Sequence, residues 1–294
     1  MTDTQPDQSA PTRAVIAVVA ANVALAFGPW FVRLADVGPV AAAFWRITLA
    51  APILVAMALV MARRGGARLV LPPPALLGTL ALAGVAFAID LGSWHLGIVR
   101  TTLANATLFG NSATLIFPIY GFIVARALPS RTQALALGLA ALGGGLLLGR
   151  SYDVDPRHLG GDLLCLLAGL LYAAYFIMMA RARAAIAPMP ALALSTLASI
   201  VPMLMFALVL DEQVIPTDWR PLIGLALLCQ LFGQGLMIYA LGQLPPLVIG
   251  IALLVQPAVA ATVGWIVYDE RLALPDLAGA VLVAAALVLV RRGR

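Results

Sequence analysis

The chain has 294 residues, 63% hydrophobic and 11% charged, with a mean hydropathy of +1.02 and a formal net charge of +5. A soluble domain carries roughly 25% charged residues, so most of this chain's outer surface has to face lipid rather than water. The basic balance does not indicate nucleic acid. Every cation is an arginine, and the arginines lie between apolar runs instead of forming one patch.

The chain opens on a polar stretch, residues 1–12, expected to be a disordered cytoplasmic tail. Apolar runs follow, and a spanning helix needs about 20 mostly apolar residues. Ten runs meet that requirement: 13–34, 39–62, 75–97, 100–125, 132–149, 160–181, 189–210, 219–241, 246–268 and 273–290. The connections are short and carry helix breakers such as Gly38-Pro39, Pro72-Pro73-Pro74, Pro188 to Pro190 and Pro245-Pro246. The first run is too long for a cleavable signal. Cys165 and Cys229 lie inside apolar runs, where they read as small packing residues rather than a disulfide framework.

The arginines orient these runs. With the amino terminus inside, inner segments hold Arg13, Arg63, Arg64, Arg68, Arg126, Arg131, Arg181, Arg183, Arg291, Arg292 and Arg294. The outer segments hold Arg33, Arg100, Arg150, Arg157, Arg220 and Arg271, and Arg46 lies within a span. That bias follows the positive-inside rule with both termini cytoplasmic. An odd number of spans would break it. The expected class is therefore an all-α membrane protein with ten transmembrane helices, multi-pass in the inner membrane.

The halves 13–150 and 159–294 echo each other. His95-Leu96-Gly97-Ile98 leads into span four much as Ala240-Leu241-Gly242-Gln243 leads into span nine, and Asn111 and Gln256 follow at matching places. Five spans per half makes the repeats inverted, the arrangement on which many secondary transporters build alternating access.

Ionisable residues inside a bilayer are costly and become functional candidates by default. Arg46 and Asp90 lie at similar depth in spans two and three, about 10 Å below the outer surface. They read either as a structural ion pair or as a site where Asp90 takes a proton or a substrate ammonium. His95, placed near the outer rim, is a candidate sensor of external pH. Asn22, Asn111, Gln230, Gln234 and Gln256 offer donors and acceptors near the midplane without a full charge, which suits a zwitterion. Pro118 and Pro257 are expected to kink spans four and nine and free the carbonyls of Thr114 and Leu253. Phe109, Tyr172, Tyr175 and Trp30 supply the apolar part of a pocket, although Trp30, Trp94, Trp219 and Trp265 also suit an interfacial belt. Gly143-Gly144-Gly145 permits close packing of spans five and ten, within one chain or across a dimer.

Gly38-Pro39-Val40-Ala41-Ala42-Ala43-Phe44-Trp45-Arg46, Gln256-Pro257, and Tyr268-Asp269-Glu270-Arg271-Leu272 with Gly279 together resemble the drug/metabolite transporter superfamily, in its EamA-type ten-helix branch. Trp94-His95-Leu96-Gly97 and Thr107-Leu108-Phe109-Gly110-Asn111 look most like its aromatic amino-acid exporter group, YddG. The first half departs from the family pattern at Arg126-Ala127-Leu128-Pro129, where an acidic pair is usual. The resemblance implies export of amino acids or related small metabolites through a central cavity, no enzymatic activity, and no cofactor or metal. A multidrug or other small-metabolite carrier is the alternative, and a membrane-embedded transferase is a more distant one. A proton is the candidate coupling ion, resting on Asp90 and His95.

Overall fold

The computed structural model describes residues 12–64, 72–101, 109–148, 156–268 and 274–292. The tail 1–11, Arg68, Thr107-Leu108 and Asp269-Glu270-Arg271 lie outside that description. The described chain is helical throughout. The first rod is α1 (Thr12–Ala26) followed by α2 (Gly28–Leu34), then come α3 (Pro39–Arg64) and α4 (Pro74–Ile98). After these are α5 (Ala113–Ala125), α6 (Arg131–Leu148), α7 (Leu159–Arg183) and α8 (Pro188–Val209). The next rod joins α9 (Arg220–Gly224), a π-helical stretch (Leu225–Gln234) and α10 (Gly235–Leu241). The last are α11 (Pro246–Leu253), α12 (Val255–Tyr268) and α13 (Leu274–Arg292).

Local chemistry sets these ends. Prolines open α3, α4, α8 and α11, where the missing N–H would have no partner in any case. Arginines close α3 and α7 (Arg63, Arg64, Arg181, Arg183), complementing the negative end of the helix dipole.

Six helical segments are long and apolar enough to cross a membrane: Thr12–Leu34, Pro39–Arg64, Pro74–Ile98, Pro156–Arg183, Pro188–Val209 and Arg220–Leu241. Ala113–Ala125, Pro246–Val259 and Leu277–Val290 are shorter apolar helices. Outward faces carry Leu82, Leu115, Ile119, Ile123, Val201, Met205, Val209 and Val281, all exposed. A contiguous apolar belt of this kind is stable against lipid and would aggregate in water.

The helices pack in related pairs. α4 lies against α7 and α8, while the π stretch lies against α1 and α3. α5 touches α7 as α11 and α12 touch α1, and three further contacts join α3 to α8, α5 to α11 and α6 to α13. The α6–α13 contact uses the glycine run within one chain: a Cβ on Gly143 would stand 2.8 Å from the Gly279 carbonyl. α5 and α11 approach through Gly250, where a Cβ would stand 2.4 Å from the Pro118 ring.

Pro118 lies inside one continuous helix. α5 runs unbroken through it, and the turn falls earlier, at Asn111-Ser112. Its ring is instead seated against Gly250, so the close crossing absorbs the proline. Pro257 stands three residues past a helix break. The helix breaks at Leu254, between α11 and α12, where that ring would clash with the Leu253 carbonyl. The sequence reading missed a second break, at Phe27 between α1 and α2. Its cause is Pro29, four residues beyond Leu25.

At one end of the bundle, the loop after α8 is tied to the start of α3. Gly38 N–H donates to the Gln213 carbonyl (3.1 Å), Ala41 N–H to Glu212 Oε2 (2.8 Å), and Trp45 Nε1 to the Val214 carbonyl (2.6 Å). Asp36 Oδ2 accepts from the Thr217 hydroxyl, the Thr217 amide (2.7 Å) and the Asp218 amide (3.1 Å). Trp219 packs edge-on against Trp45, with ring centroids 4.7 Å apart.

Candidate functional site

A cavity of about 200 Å³ lies between α1–α2, α3, α4 and the start of α5 on one side and α7, the π stretch and α11–α12 on the other. It reaches the end of the bundle where α2 and α4 terminate, with exposed Arg33 at its mouth and Ile98 beside it. The two helix breaks sit in its wall. Leu25 and Leu253, each four residues before a breaking proline, both line it, so backbone freed by the prolines faces a cavity rather than lipid.

Arg46 and Asp90 both line this cavity and are only 5% and 7% exposed. The expected ion pair between them is not formed among the described residues. The π stretch instead supplies a partner to Arg46. Gln230 Oε1 accepts from Arg46 Nε at 3.1 Å, and Gln230 Nε2 donates to Thr196 Oγ1 at 3.2 Å. The guanidinium also sits 5.8 Å from the Phe87 ring centroid, within cation–π range. Gln230 thus stands behind the cavity, holding Arg46, and is not itself in the wall.

His95 lies three residues before the end of α4 and lines the cavity. It is 2% exposed, and its Nδ1 lies 2.6 Å from the Pro39 carbonyl. A carbonyl only accepts, so Nδ1 carries the proton and Nε2 of the neutral ring is an acceptor. This bond anchors the end of α4 to the start of α3.

Among the amides, Gln234 lines the cavity and its Nε2 donates to the Tyr172 hydroxyl at 3.4 Å. Its Oε1 is buried with no partner among the described residues. Gln256, also in the wall, donates to Asn22 Oδ1 at 2.8 Å, and Asn22 donates onward to the Val18 carbonyl at 2.7 Å. Asn22 is therefore a support for Gln256, fully buried and outside the wall. Asn111 lines the cavity at the turn before α5.

The aromatic residues divide in the same way. Trp30, Trp94, Phe87 and Tyr172 line the cavity, which takes Trp30 and Trp94 out of a purely interfacial belt. Tyr175 is 1% exposed and stacks on Phe87 at 4.7 Å, so it backs the wall instead of facing the space. Phe109 is likewise absent from the lining, its carbonyl close to α7 at Gly169. Leu25, Pro29 and Arg33 belong to the wall without having been singled out as site residues. Gly28-Pro29 inside an apolar run was the available signal for two of them.

Beyond Tyr172 the cavity is closed. Tyr175 and Phe176 on α7 pack with Phe117 and Tyr120 on α5, at 5.6 Å between Phe117 and Phe176. Below this plug, Arg181 Nη2 donates to the Tyr120 hydroxyl at 3.2 Å. Arg183 Nε donates to the Ile238 carbonyl at 3.0 Å, and its Nη1 donates to the Ile186 carbonyl. Two arginines of α7 thus fasten α5 and α10 at the end opposite the mouth.

These features describe a multi-pass helical membrane protein built around a cavity that reaches one end of the bundle. Residues 159–292 match the model of the EamA-like transporter family, a likeness confined to the second half of the chain. A solved crystal structure whose description names no function matches with a TM-score of 0.78 and 13% identity, covering 96% of this chain and 99% of its own. That likeness is one of fold and spans both halves of the chain. No curated protein matches the sequence.

Proposed function

We propose that the protein exports amino acids with aromatic or other apolar, neutral side chains, and related small metabolites, by alternating access across the inner membrane. In this reading ten spans form two inverted repeats, 13–150 and 159–294, with both termini cytoplasmic. The related contacts support it: α4 on α7 corresponds to the π-containing rod on α1, and α5 on α7 corresponds to α11–α12 on α1. The carrying observation is the cavity at the seam of the halves, open at one end and closed by aromatic residues and arginine clasps at the other. With the amino terminus inside, its mouth faces outward. Return to an inward-facing form requires release of the Arg181 and Arg183 contacts while the Asp36–Thr217 end closes.

The test is counterflow into proteoliposomes with labelled phenylalanine and threonine, with and without a pH gradient. Accumulation above protein-free liposomes is expected. Folded protein that accumulates neither, yet carries lipophilic cations, would favour the multidrug alternative, for which the aromatic wall of Trp30, Phe87 and Trp94 also offers surface.

A further inference from the structure

We infer that the cavity selects a dipolar ligand, with Arg46 receiving its carboxylate and Asp90 receiving its ammonium. The inference rests on reading this cavity as the substrate site, and it assigns the two charges their roles. Each is more than nine-tenths buried and lines the same space. They form no salt bridge with each other, and Asp90 has no hydrogen bond among the described residues. Burying a carboxylate without a direct partner is unfavourable, so this arrangement suits a partner that arrives from the cavity.

Arg46 is prepared for such a partner. Gln230 takes only its Nε, and Thr196 fixes Gln230 in turn. Neither terminal nitrogen has a hydrogen-bond partner among the described residues, leaving the planar edge that matches a carboxylate. On the other side, Asp90 lies three residues beyond Phe87, on the same face of α4. The Phe87 ring is 6.5 Å from that of Tyr172, whose hydroxyl holds the amide nitrogen of Gln234. That bond leaves Gln234 Oε1, the buried and unpartnered acceptor, as a second group able to take an ammonium proton.

The charge balance narrows the ligand class. A lone cation would leave Arg46 uncompensated, and a lone anion would leave Asp90 so. A phosphorylated ligand would bring more negative charge than a single buried arginine can balance. A zwitterion satisfies both groups at once, and its apolar side chain meets Trp30, Trp94 and Leu253.

Equilibrium binding to the purified full chain tests this separately from transport. The probes are tritiated phenylalanine and leucine, displaced by each amino acid's decarboxylated amine or deaminated acid. At least one amino acid is expected to bind, with either half-ligand weaker by about 100-fold or more. Arg46→Gln is expected to shift relative preference toward the amine, and Asp90→Asn toward the acid. A merely structural role would not produce these opposite shifts. Half-ligands that compete as well as the parent, or no binding by either amino acid, would overturn the inference. Binding without counterflow would instead remove the transport reading and leave the charge assignment standing. The wild-type comparison decides the matter even if a variant fails to fold.

Discussion

Gly84 sits where α4 crosses α8, and Gly84→Ala probes how tightly that crossing is fixed. A Cβ there would stand 2.4 Å from the Ser195 carbonyl oxygen and 2.7 Å from the Ala198 methyl. Neither neighbour is the end of a flexible side chain. Comfortable carbon–oxygen contact begins near 3.3 Å, so the helices must part by about 1 Å. That movement would stretch the 2.8 Å bond from Ser199 Oγ to the Gly84 carbonyl, an interhelical bond of about 0.6 kcal/mol in membrane proteins. Overpacking adds about 1–3 kcal/mol, while alanine's better helix propensity returns about 1 kcal/mol. The expected net destabilisation is about 1–2 kcal/mol. Gly78, on the same helix, has nothing within 4 Å of its added Cβ, so Gly78→Ala keeps only the favourable propensity term. Thermal unfolding in detergent should place the Gly84 variant a few degrees below wild type and the Gly78 variant at or above it. A Gly84 variant as stable as the Gly78 variant would refute the steric argument.

Two further outcomes are expected. Thr217's hydroxyl and amide hold the Asp36 carboxyl below its usual range, with a further contribution from the Asp218 amide. A depressed folded-state pKa stabilises above the unfolded value and ceases to do so as pH falls through the folded value. Asp36→Asn should therefore lie below wild type near neutral pH and converge with it in acid, as read from thermal scans across pH. A gap that persists at the lowest pH would mean that the carboxylate charge is not what holds the loop. Cys165 and Cys229 are buried and unpaired. The folded protein should resist maleimide labelling and take up two labels once unfolded in detergent, as counted by intact mass. Rapid labelling before unfolding would contradict their packing.

Hydropathy made the rods legible because lipid imposes length and apolarity on every helix that crosses it. Runs such as 39–62 and 189–210 reappear as Pro39–Arg64 and Pro188–Val209. Ionisable and amide residues were also legible as candidates, since burial in lipid makes each of them conspicuous. Partnership was not. Sequence spacing placed Arg46 and Asp90 at one depth, yet Gln230, 184 positions along the chain from Arg46, takes the arginine's Nε. The same limit separates Gln256 in the wall from Asn22 behind it, and Tyr172 in the wall from Tyr175 beneath. Rotation about a helix axis decides between these positions, and a hydrophobic run with little polar contrast does not encode it. Pro118 shows the converse. Its ring is seated against Gly250 on a neighbouring helix, a contact that no local window contains.

The wide-turn segment Leu225–Gln234 has a mechanical consequence. Each residue in such a coil advances the winding by less than in its α-helical flanks. Tightening the coil by one hydrogen-bond step would twist Gln230 and Gln234 relative to Gly224 without lengthening the polypeptide. Those two amides hold Arg46 and Tyr172. The segment is thus a torsional joint: winding or unwinding it would turn a pull on α10 into rotation of both cavity-wall anchors.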